Sequence, residues 1–323
     1  MRRWLLIVGG SLVLIFLICV VTIYRAPLAV TDALIRMHLR QENVMSEFVD
    51  VDGYKVHYFE ALPAKVADNA EFGTPVVLVH GLGARGEDWA GMIPLLAASG
   101  FHVYALDLLG YGRSPQPDVD YSIRLEEKTV VDFMKAMKLE SADIGGWSMG
   151  GWIVLKLAVD HPEMVRRLMV YDAAGVYFKP TFEGSLFTPT DRNGLFELQK
   201  MLSPHPQPLP GFLADAALDK LRGNAWVLNR SLASMSGGKN LMDFQLDKIE
   251  KPTLIVWGKE DVLIPLAAGE TMHRKIAGSN LLVVEGCGHL APSECVQPVT
   301  KGTVDFLKSV PAETGMEASV AGR

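Results

Sequence analysis

The sequence predicts an α/β fold in which a mostly parallel β-sheet is flanked by helices and interrupted by an inserted helical cap. Three observations favour this fold class. Strand-like and helix-like segments alternate from residue 48 onward, a pattern typical of a sheet covered on both faces. The alternation stops between residues 176 and 249, where only helical patterns occur. The chain has 323 residues, 49% of them hydrophobic, and is therefore long enough to bury a large core.

The N-terminal segment Trp4–Tyr24 predicts a membrane anchor. It carries no charge, and at about 1.5 Å per residue its helix is long enough to cross a hydrocarbon core of roughly 30 Å. The run is longer than the apolar region of a signal peptide and precedes no good cleavage site. We therefore expect residues 1–25 to remain as a single-pass anchor in the lipid bilayer, a cleaved signal peptide being the alternative. The arginines on its two sides nearly balance, so they favour the N-terminus inside only slightly.

Residues 26–47 predict an amphipathic linker helix. Asp32, Arg36 and Arg40 recur every four residues, and apolar residues form a separate stripe. Such a helix can lie on the lipid surface or pack on the following domain, and the pattern does not distinguish the two.

Residues 48–175 and 250–310 are predicted to form the core of the domain, followed by a flexible tail at 311–323. Two strand-like runs flank Asp52-Gly53, which is a hairpin signal. The predicted strands are Phe48–Val51, Tyr54–Glu60, Pro75–Val79, Phe101–Leu106, Ala142–Gly146, Leu168–Tyr171, Thr253–Trp257 and Leu281–Glu285. The predicted helices are Glu87–Ala98, Ser122–Met137, Met149–Val159, Leu266–Ile276 and Gln297–Leu307.

Residues 176–249 are predicted to form the helical cap. They contain the helical segments Leu195–Leu202 and Phe212–Met235, and the whole stretch is too long for a simple loop. Its apolar side chains are candidates for lining an acyl pocket, although such residues more often form the core of the cap itself. The candidates are Leu195, Phe196, Met201, Leu202, Phe212, Leu213, Leu218, Leu221, Trp226, Val227 and Leu228.

Charge and cysteine content exclude two classes of protein. The net charge is -6 and no run of Lys or Arg occurs, which argues against a nucleic-acid partner. Cys19, Cys287 and Cys295 are too few for a disulfide framework, and they leave the redox compartment open. We predict no metal site.

The candidate nucleophile is Ser148. It lies in Gly146-Trp147-Ser148-Met149-Gly150, which matches G-x-S-x-G where a weak strand meets a helix. In this motif the serine occupies a strained turn, and the glycines let the strand and the helix approach. The turn exposes the hydroxyl above the sheet. An ordinary glycine-rich turn is the alternative interpretation.

The candidate general base is His289, because it follows the last strand, where a loop can carry the imidazole over Ser148. His80 ends a strand and is expected to be structural. The carboxylate that orients the imidazole is expected to be Asp261, after the seventh strand, which gives the chain order Ser, Asp, His. Asp172, after the sixth strand, is the rival.

The oxyanion hole is expected to combine two backbone N–H groups. One belongs to Met149, the residue after the nucleophile. The other lies in the loop His80-Gly81-Leu82-Gly83, where Leu82 is the candidate donor. A plain tight turn also explains the two glycines of this loop, and both interpretations can hold.

Four further segments resemble motifs of the α/β-hydrolase superfamily, and the resemblance extends from about Phe48 to Val310. They are HGLGARGEDW (His80–Trp89), DLLGYGRS (Asp107–Ser114), WGKEDVLIP (Trp257–Pro265) and GCGHLAPSE (Gly286–Glu294). The anchor, the cap and the last two segments are similar to membrane-anchored monoacylglycerol lipases. The resemblance implies the α/β-hydrolase fold, a Ser-His-Asp triad and hydrolysis of fatty-acid glycerol esters without a cofactor.

These features predict a serine hydrolase that cleaves carboxylic esters through an acyl-enzyme, with a monoacylglycerol-type lipid as the substrate. A serine at the strained turn between the strand and the helix disfavours haloalkane dehalogenases and epoxide hydrolases, which place an aspartate at that position. Peptidase, perhydrolase or acyltransferase activity stays open, and so do two further alternatives. One is a carbon-carbon bond hydrolase acting on diketone-like ring-cleavage products, and the other is a non-catalytic binding module on the same fold.

Overall fold

The computed structural model describes residues 20–64 and 73–309. Within these ranges the strands are β1 (Val44–Val51), β2 (Tyr54–Ala61), β3 (Thr74–Val79), β4 (Phe101–Leu106), β5 (Ala142–Trp147), β6 (Val165–Tyr171), β7 (Thr253–Gly258) and β8 (Asn280–Val284). They form one eight-stranded sheet in the order β1-β2-β4-β3-β5-β6-β7-β8. β1 pairs antiparallel with β2, and β2 with β4, whereas β3 to β8 are parallel. The predicted mostly parallel sheet is confirmed.

Helices cover both faces of this sheet. They are α1 (Pro27–Gln41), α2 (Ile93–Ala98), α3 (Ile123–Ala136), α4 (Met149–Asp160), α5 (Arg192–Leu202), α6 (Gly211–Ser236), α7 (Leu266–Lys275), α8 (Ala291–Glu294) and α9 (Val296–Ser309). The predicted helix Glu87–Ala98 is wrong as a single element: a 3-10 turn, Gly86–Trp89, comes first and α2 follows. Pro94 explains the break, because proline has no N–H for a helix that continues from the preceding turn.

The apolar residues of the central strands alternate between two cores. In β3, Val77 and Val79 belong to the core on one face, and Val76 and Leu78 belong to the core on the other. All four side chains are fully buried. A strand buried on both faces needs a continuous apolar run, which is why β3 shows no polar alternation in the sequence.

The N-terminal region differs from its predicted bounds. The helix predicted over residues 26–47 ends at Gln41, because Asn43 adopts a left-handed backbone with φ of 59° and β1 begins at Val44. Residues 4–19 of the predicted anchor and the predicted tail at 311–323 lie outside the described residues. No helix in the described part of the chain is long and apolar enough to span a bilayer.

Helix α1 packs on the domain through charged and aromatic contacts. The Arg85 guanidinium donates two hydrogen bonds to the Asp32 carboxylate, at 3.0 and 2.6 Å. Arg36 donates to Glu87 Oε1 at 2.9 Å. Just before α1, the Tyr24 ring lies 4.9 Å from the Phe212 ring at the start of α6. The segment after β3 and the start of α6 are thus both bound to the N-terminal region.

Helices α5 and α6 lie between β6 and β7 in the chain and have a small core of their own, formed by Leu195, Ala214 and Leu218. The described residues contain no strand between 176 and 249. Val227 and Leu228 of α6 reach the core of the sheet domain instead. The helical segment therefore sits over one end of the sheet.

Candidate active site

Three side chains from separate loops meet at the carboxyl ends of the parallel strands. Ser148 Oγ lies 2.9 Å from His289 Nε2, and His289 Nδ1 lies 2.8 Å from Asp261 Oδ2. Ser148 follows β5, Asp261 follows β7 and His289 follows β8. All three are buried. The structure brings the predicted nucleophile, acid and base into one hydrogen-bonded chain.

Ser148 occupies a strained backbone conformation, with φ of 56° and ψ of -117°. The turn is possible because its neighbours lack side chains. A Cβ at Gly146 would lie 2.2 Å from the carbonyl oxygen of Gly150, and one at Gly150 would lie 2.3 Å from that of Val79. Both glycines are therefore required for the approach of β5 and α4 that presents the hydroxyl.

The Asp261 carboxylate is held by the backbone. Its Oδ1 accepts hydrogen bonds from the N–H groups of Leu263 and Ile264, both at 2.9 Å. Its Oδ2 is left to accept from His289 Nδ1–H. An imidazole that donates from Nδ1 keeps Nε2 free to accept the hydroxyl proton of Ser148.

Asp172, the rival acid, is completely buried beneath the turn that carries Asp261 (residues 259–264, the acid turn). In the described part of the chain it makes no bond to His289. Its Oδ1 accepts from the Gly258 N–H at 2.7 Å. Burial raises the pKa of Asp172 well above its ordinary value, and the nearby charge of Asp261 raises it further. Asp172 therefore lies beneath the acid turn, and Asp261 is the carboxylate that accepts from the His289 imidazole.

The loop that carries His289 is fastened at three places. A disulfide joins Cys287 to Cys295, whose Cα atoms are 6.3 Å apart. Trp147 Nε1–H donates to the carbonyl of His289 at 2.7 Å. Glu260, although exposed, accepts from the Cys287 N–H at 3.0 Å and so ties the acid turn to the histidine loop. The disulfide was not predicted from the sequence, where the available signal is that these two cysteines bracket His289 in the chain.

The loop with the candidate oxyanion donor lies directly against the nucleophile. A Cβ at Gly81 would lie 3.0 Å from Ser148 Cβ. The Ala84 N–H donates to the Gly81 carbonyl, and Gly83 has φ of 72°, so residues 81–84 form a tight turn. The N–H of Leu82, in the middle of such a turn, takes no part in the turn's own hydrogen bond. Met149, the other candidate donor, is the first residue of α4.

Two buried polar residues hold this loop in place. His80 donates from Nδ1 to the Gly81 carbonyl at 2.8 Å and accepts at Nε2 from the Leu108 N–H at 3.0 Å. Burial lowers the pKa of His80, which keeps the imidazole neutral in that role. Asp107 accepts from the Gly86 N–H at 2.6 Å. The motif Asp107–Ser114 does not by itself predict this contact.

A second Ser-His-Asp chain occurs elsewhere in the protein. Ser46 Oγ lies 2.8 Å from His57 Nε2, and His57 Nδ1 lies 2.7 Å from Asp107 Oδ2. Ser46 is in the middle of β1, and Arg113 donates to its hydroxyl at 2.7 Å. It stands within a strand and not at a helix N-terminus, so it offers an internal comparison for Ser148.

A cavity of about 720 Å³ opens above Ser148 and His289. Its walls are mainly aliphatic and aromatic, and they include Leu82, Trp152, Val176, Phe178, Phe182, Phe187, Leu232, Met235, Leu241, Leu263, Ile264 and Leu290. No lysine or arginine is among the described residues that line it, and Asp88 is the one carboxylate among them. The site therefore suits an uncharged, largely apolar ligand.

The predicted acyl-pocket residues are mostly elsewhere. Of the eleven cap candidates only Leu202 lines the cavity. Leu195 and Leu218 pack against each other in the cap, as the alternative interpretation held. Three phenylalanines that do line the cavity, Phe178, Phe182 and Phe187, lie in the segment between β6 and α5.

Comparison with known proteins gives the chain its family. Residues 74–294 match the family described as alpha/beta hydrolase fold. A hydrolase of 2-hydroxy-6-oxo-6-(2'-aminophenyl)hexa-2,4-dienoic acid from Metapseudomonas resinovorans is 30% identical over 278 residues, 81% of this chain and 91% of that protein. A 2-hydroxymuconate semialdehyde hydrolase from Pseudomonas sp. (strain CF600) is 31% identical over 74% of this chain and 89% of its own length.

The fold is also similar to that of a solved membrane phospholipase A, described as a bacterial virulence factor. The TM-score is 0.77 at 25% identity, and the match covers 95% of this chain and 98% of the other. The predicted resemblance is thereby confirmed at the level of the superfamily. The chain belongs to the alpha/beta hydrolase family, and it is a hydrolase.

Proposed function

We propose that this protein is a membrane-bound serine esterase that hydrolyses monoacylglycerol-type lipid esters. The observation that carries the proposal is the cavity above Ser148, which is apolar and has no cationic side chain among its described lining residues. An acyl chain gains by leaving water for such walls, at roughly 25 cal/mol per Å² of buried apolar surface.

The proposed reaction proceeds through an acyl-enzyme. Ser148 Oγ attacks the ester carbonyl while His289 Nε2 takes its proton, and the N–H groups of Leu82 and Met149 stabilise the oxyanion. His289 then gives the proton to the leaving alcohol oxygen as the ester C–O bond breaks. Water attacks the acyl-enzyme next, His289 takes its proton, and the fatty acid leaves as Ser148 regains a hydrogen.

A carbon-carbon bond hydrolase is the second candidate, because two relatives are named as hydrolases of an aminophenyl-substituted hexadienoic acid and of 2-hydroxymuconate semialdehyde. The dienoic acid named for the first relative carries a carboxylate at neutral pH. Burying a carboxylate among apolar walls without a cation costs several kcal/mol, on the order given for unpaired buried charges. The cavity lining therefore favours the neutral lipid ester.

A substrate panel on the detergent-solubilised full-length protein separates these candidates. We expect hydrolysis of medium- and long-chain monoacylglycerols, and a second-order rate constant for a ring-cleavage dienoate that is lower by at least about 100-fold, a cost of about 2.7 kcal/mol. The reverse preference would leave the serine chemistry in place and remove the lipase proposal.

The membrane association rests on Trp4–Tyr24 and is further supported by the membrane phospholipase A, whose structure aligns with 95% of this chain. We expect the protein to keep its N-terminus and to resist carbonate extraction from membranes. Removing residues 1–25 should release it, and should leave turnover of a small soluble ester within about twofold because Ser148, His289 and Asp261 are all distant in the chain. A mature N-terminus near Val30 would contradict the anchor.

The Cys287–Cys295 disulfide supports a proposal about the side of the membrane on which the catalytic domain lies. Disulfides persist in oxidising compartments and are rare in the reducing cytosol. We propose that the catalytic domain faces the oxidising side and that the N-terminus lies inside, which is also the orientation slightly favoured by the flanking arginines.

A further inference from the structure

We propose that Asp88 binds a free hydroxyl of the leaving alcohol, and that it makes the enzyme selective for esters of uncharged polyols such as glycerol. This proposal rests on the proposed esterase function and names the alcohol part of its substrate. Its basis is a carboxylate with one open oxygen in a cavity whose walls are otherwise mainly apolar.

The backbone around Asp88 is firmly held. Asp88 lies in the 3-10 turn Gly86–Trp89, and its Oδ2 accepts the Arg85 N–H at 2.9 Å. The next residue, Trp89, is fully buried against the rings of Trp147 and Tyr171. The position of the carboxylate is therefore fixed by the fold before any substrate arrives.

The second oxygen of Asp88, Oδ1, has no hydrogen-bond partner in the described part of the chain, and the residue lines the cavity. In the described part of the chain neither neighbouring cation bonds to it: the Arg85 guanidinium binds Asp32 and Glu87, and Lys220 acts on Asp88 only through its charge. Burial raises the pKa of Asp88, although the charges of Arg85 and Lys220 act to lower it. A substrate hydroxyl would supply the missing donor.

The position of Asp88 matches the alcohol side of the ester. The helix α8, two residues after His289, packs against the turn that carries Asp88. Leu290 and Ser293, next to His289 in the chain, line the same cavity. The alcohol must leave beside His289, because that imidazole protonates its oxygen. The acyl chain then packs against the apolar walls on the side of the cap.

The charge of Asp88 also selects against some alcohols. A phosphate-bearing head group would bring a negative charge next to this carboxylate in a cavity without lysine or arginine among its described walls. A hydroxyl group, in contrast, donates to a carboxylate in a charge-assisted hydrogen bond. Neutral polyol esters are therefore the class that the site fits.

The test compares two esters with the same acyl group, monolauroylglycerol and methyl laurate, in the same detergent micelles. Asp88→Asn keeps one oxygen for the Arg85 N–H and turns an amide NH₂, which cannot accept, toward the cavity. We expect kcat/KM for monolauroylglycerol to fall about 10- to 100-fold and that for methyl laurate to change less than about threefold. Asp88→Ala should show the same selectivity, and Asp219→Asn, an exposed cap carboxylate, should change neither ester.

The rate of deacylation distinguishes binding of the alcohol from a merely structural role, because a structural role would change that rate as well. Both esters give the same lauroyl-enzyme, so its hydrolysis rate in Asp88→Asn should equal that of the wild type. Equal losses on the two esters, or a slower deacylation, would overturn the role of Asp88 while the esterase function stands. A wild-type enzyme that cleaved neither ester would remove the proposed function, and the Asp88 proposal with it.

Discussion

Replacing Ser148 by alanine should abolish both turnover and covalent labelling. The hydroxyl is the atom that forms the acyl-enzyme, and no other described side chain occupies its place against His289 Nε2. Removal of a triad serine lowers kcat by a factor on the order of 10⁶. Intact-protein mass spectrometry after brief reaction with a fluorophosphonate should place the added mass on Ser148 in the wild type and nowhere in the variant.

Ser46→Ala is the matched control. Ser46 has the same kind of hydrogen-bonded histidine and aspartate, but it lies within a strand and is not among the residues that line the cavity above Ser148. We expect this variant to retain labelling at Ser148 and to keep its activity within about threefold. Full activity in Ser148→Ala, or labelling at Cys287 or Cys295 instead, would refute the serine mechanism.

Asp261→Asn should lower kcat by a factor on the order of 10⁴ without unfolding the protein. The asparagine keeps an oxygen for the N–H groups of Leu263 and Ile264, but it turns an NH₂ toward His289. The imidazole then loses its acceptor for Nδ1–H, and with it the tautomer that leaves Nε2 free. Steady-state kinetics on a soluble ester, with thermal unfolding as the check on folding, measure the effect.

The companion variant Asp172→Asn should cost no more than about tenfold. Its asparagine can still accept from the Gly258 N–H, and burial already favours the neutral form of this side chain. A larger effect at Asp172 than at Asp261 would move the catalytic acid to the end of β6 and would contradict the assignment made from the acid turn.

The sequence was informative where backbone geometry dictates residue type. Gly146 and Gly150 predict the sharp turn at Ser148, because a Cβ at either position would clash with backbone atoms. Asp261 and His289 are recognisable because they directly follow apolar runs, and the carboxyl ends of parallel strands lie at one edge of the sheet. These signals are local, so a single sequence carries them.

The cavity and its polar end were not predictable in this way. Helical periodicity identifies apolar residues in the cap, but it does not tell which of them face another cap helix. Leu195 and Leu218 face each other, whereas Phe182 and Phe187, in a stretch without clear periodicity, line the cavity. Asp88 likewise sits in a motif whose sequence pattern says nothing about its open oxygen. Such contacts depend on the tertiary packing of distant segments.

Helix α1 has a further consequence for how the enzyme meets its substrate. Only two residues separate it from β1, and Asp32 and Arg36 bind it to the segment that follows the oxyanion loop. A flexible linker would let the domain take many distances from the membrane. In the proposed membrane-bound esterase, a packed α1 would hold the domain at one distance from the bilayer and at one tilt. Lipids would then reach the cavity by lateral diffusion in a plane that α1 defines, and residues far from Ser148 would determine the depth at which an ester is bound.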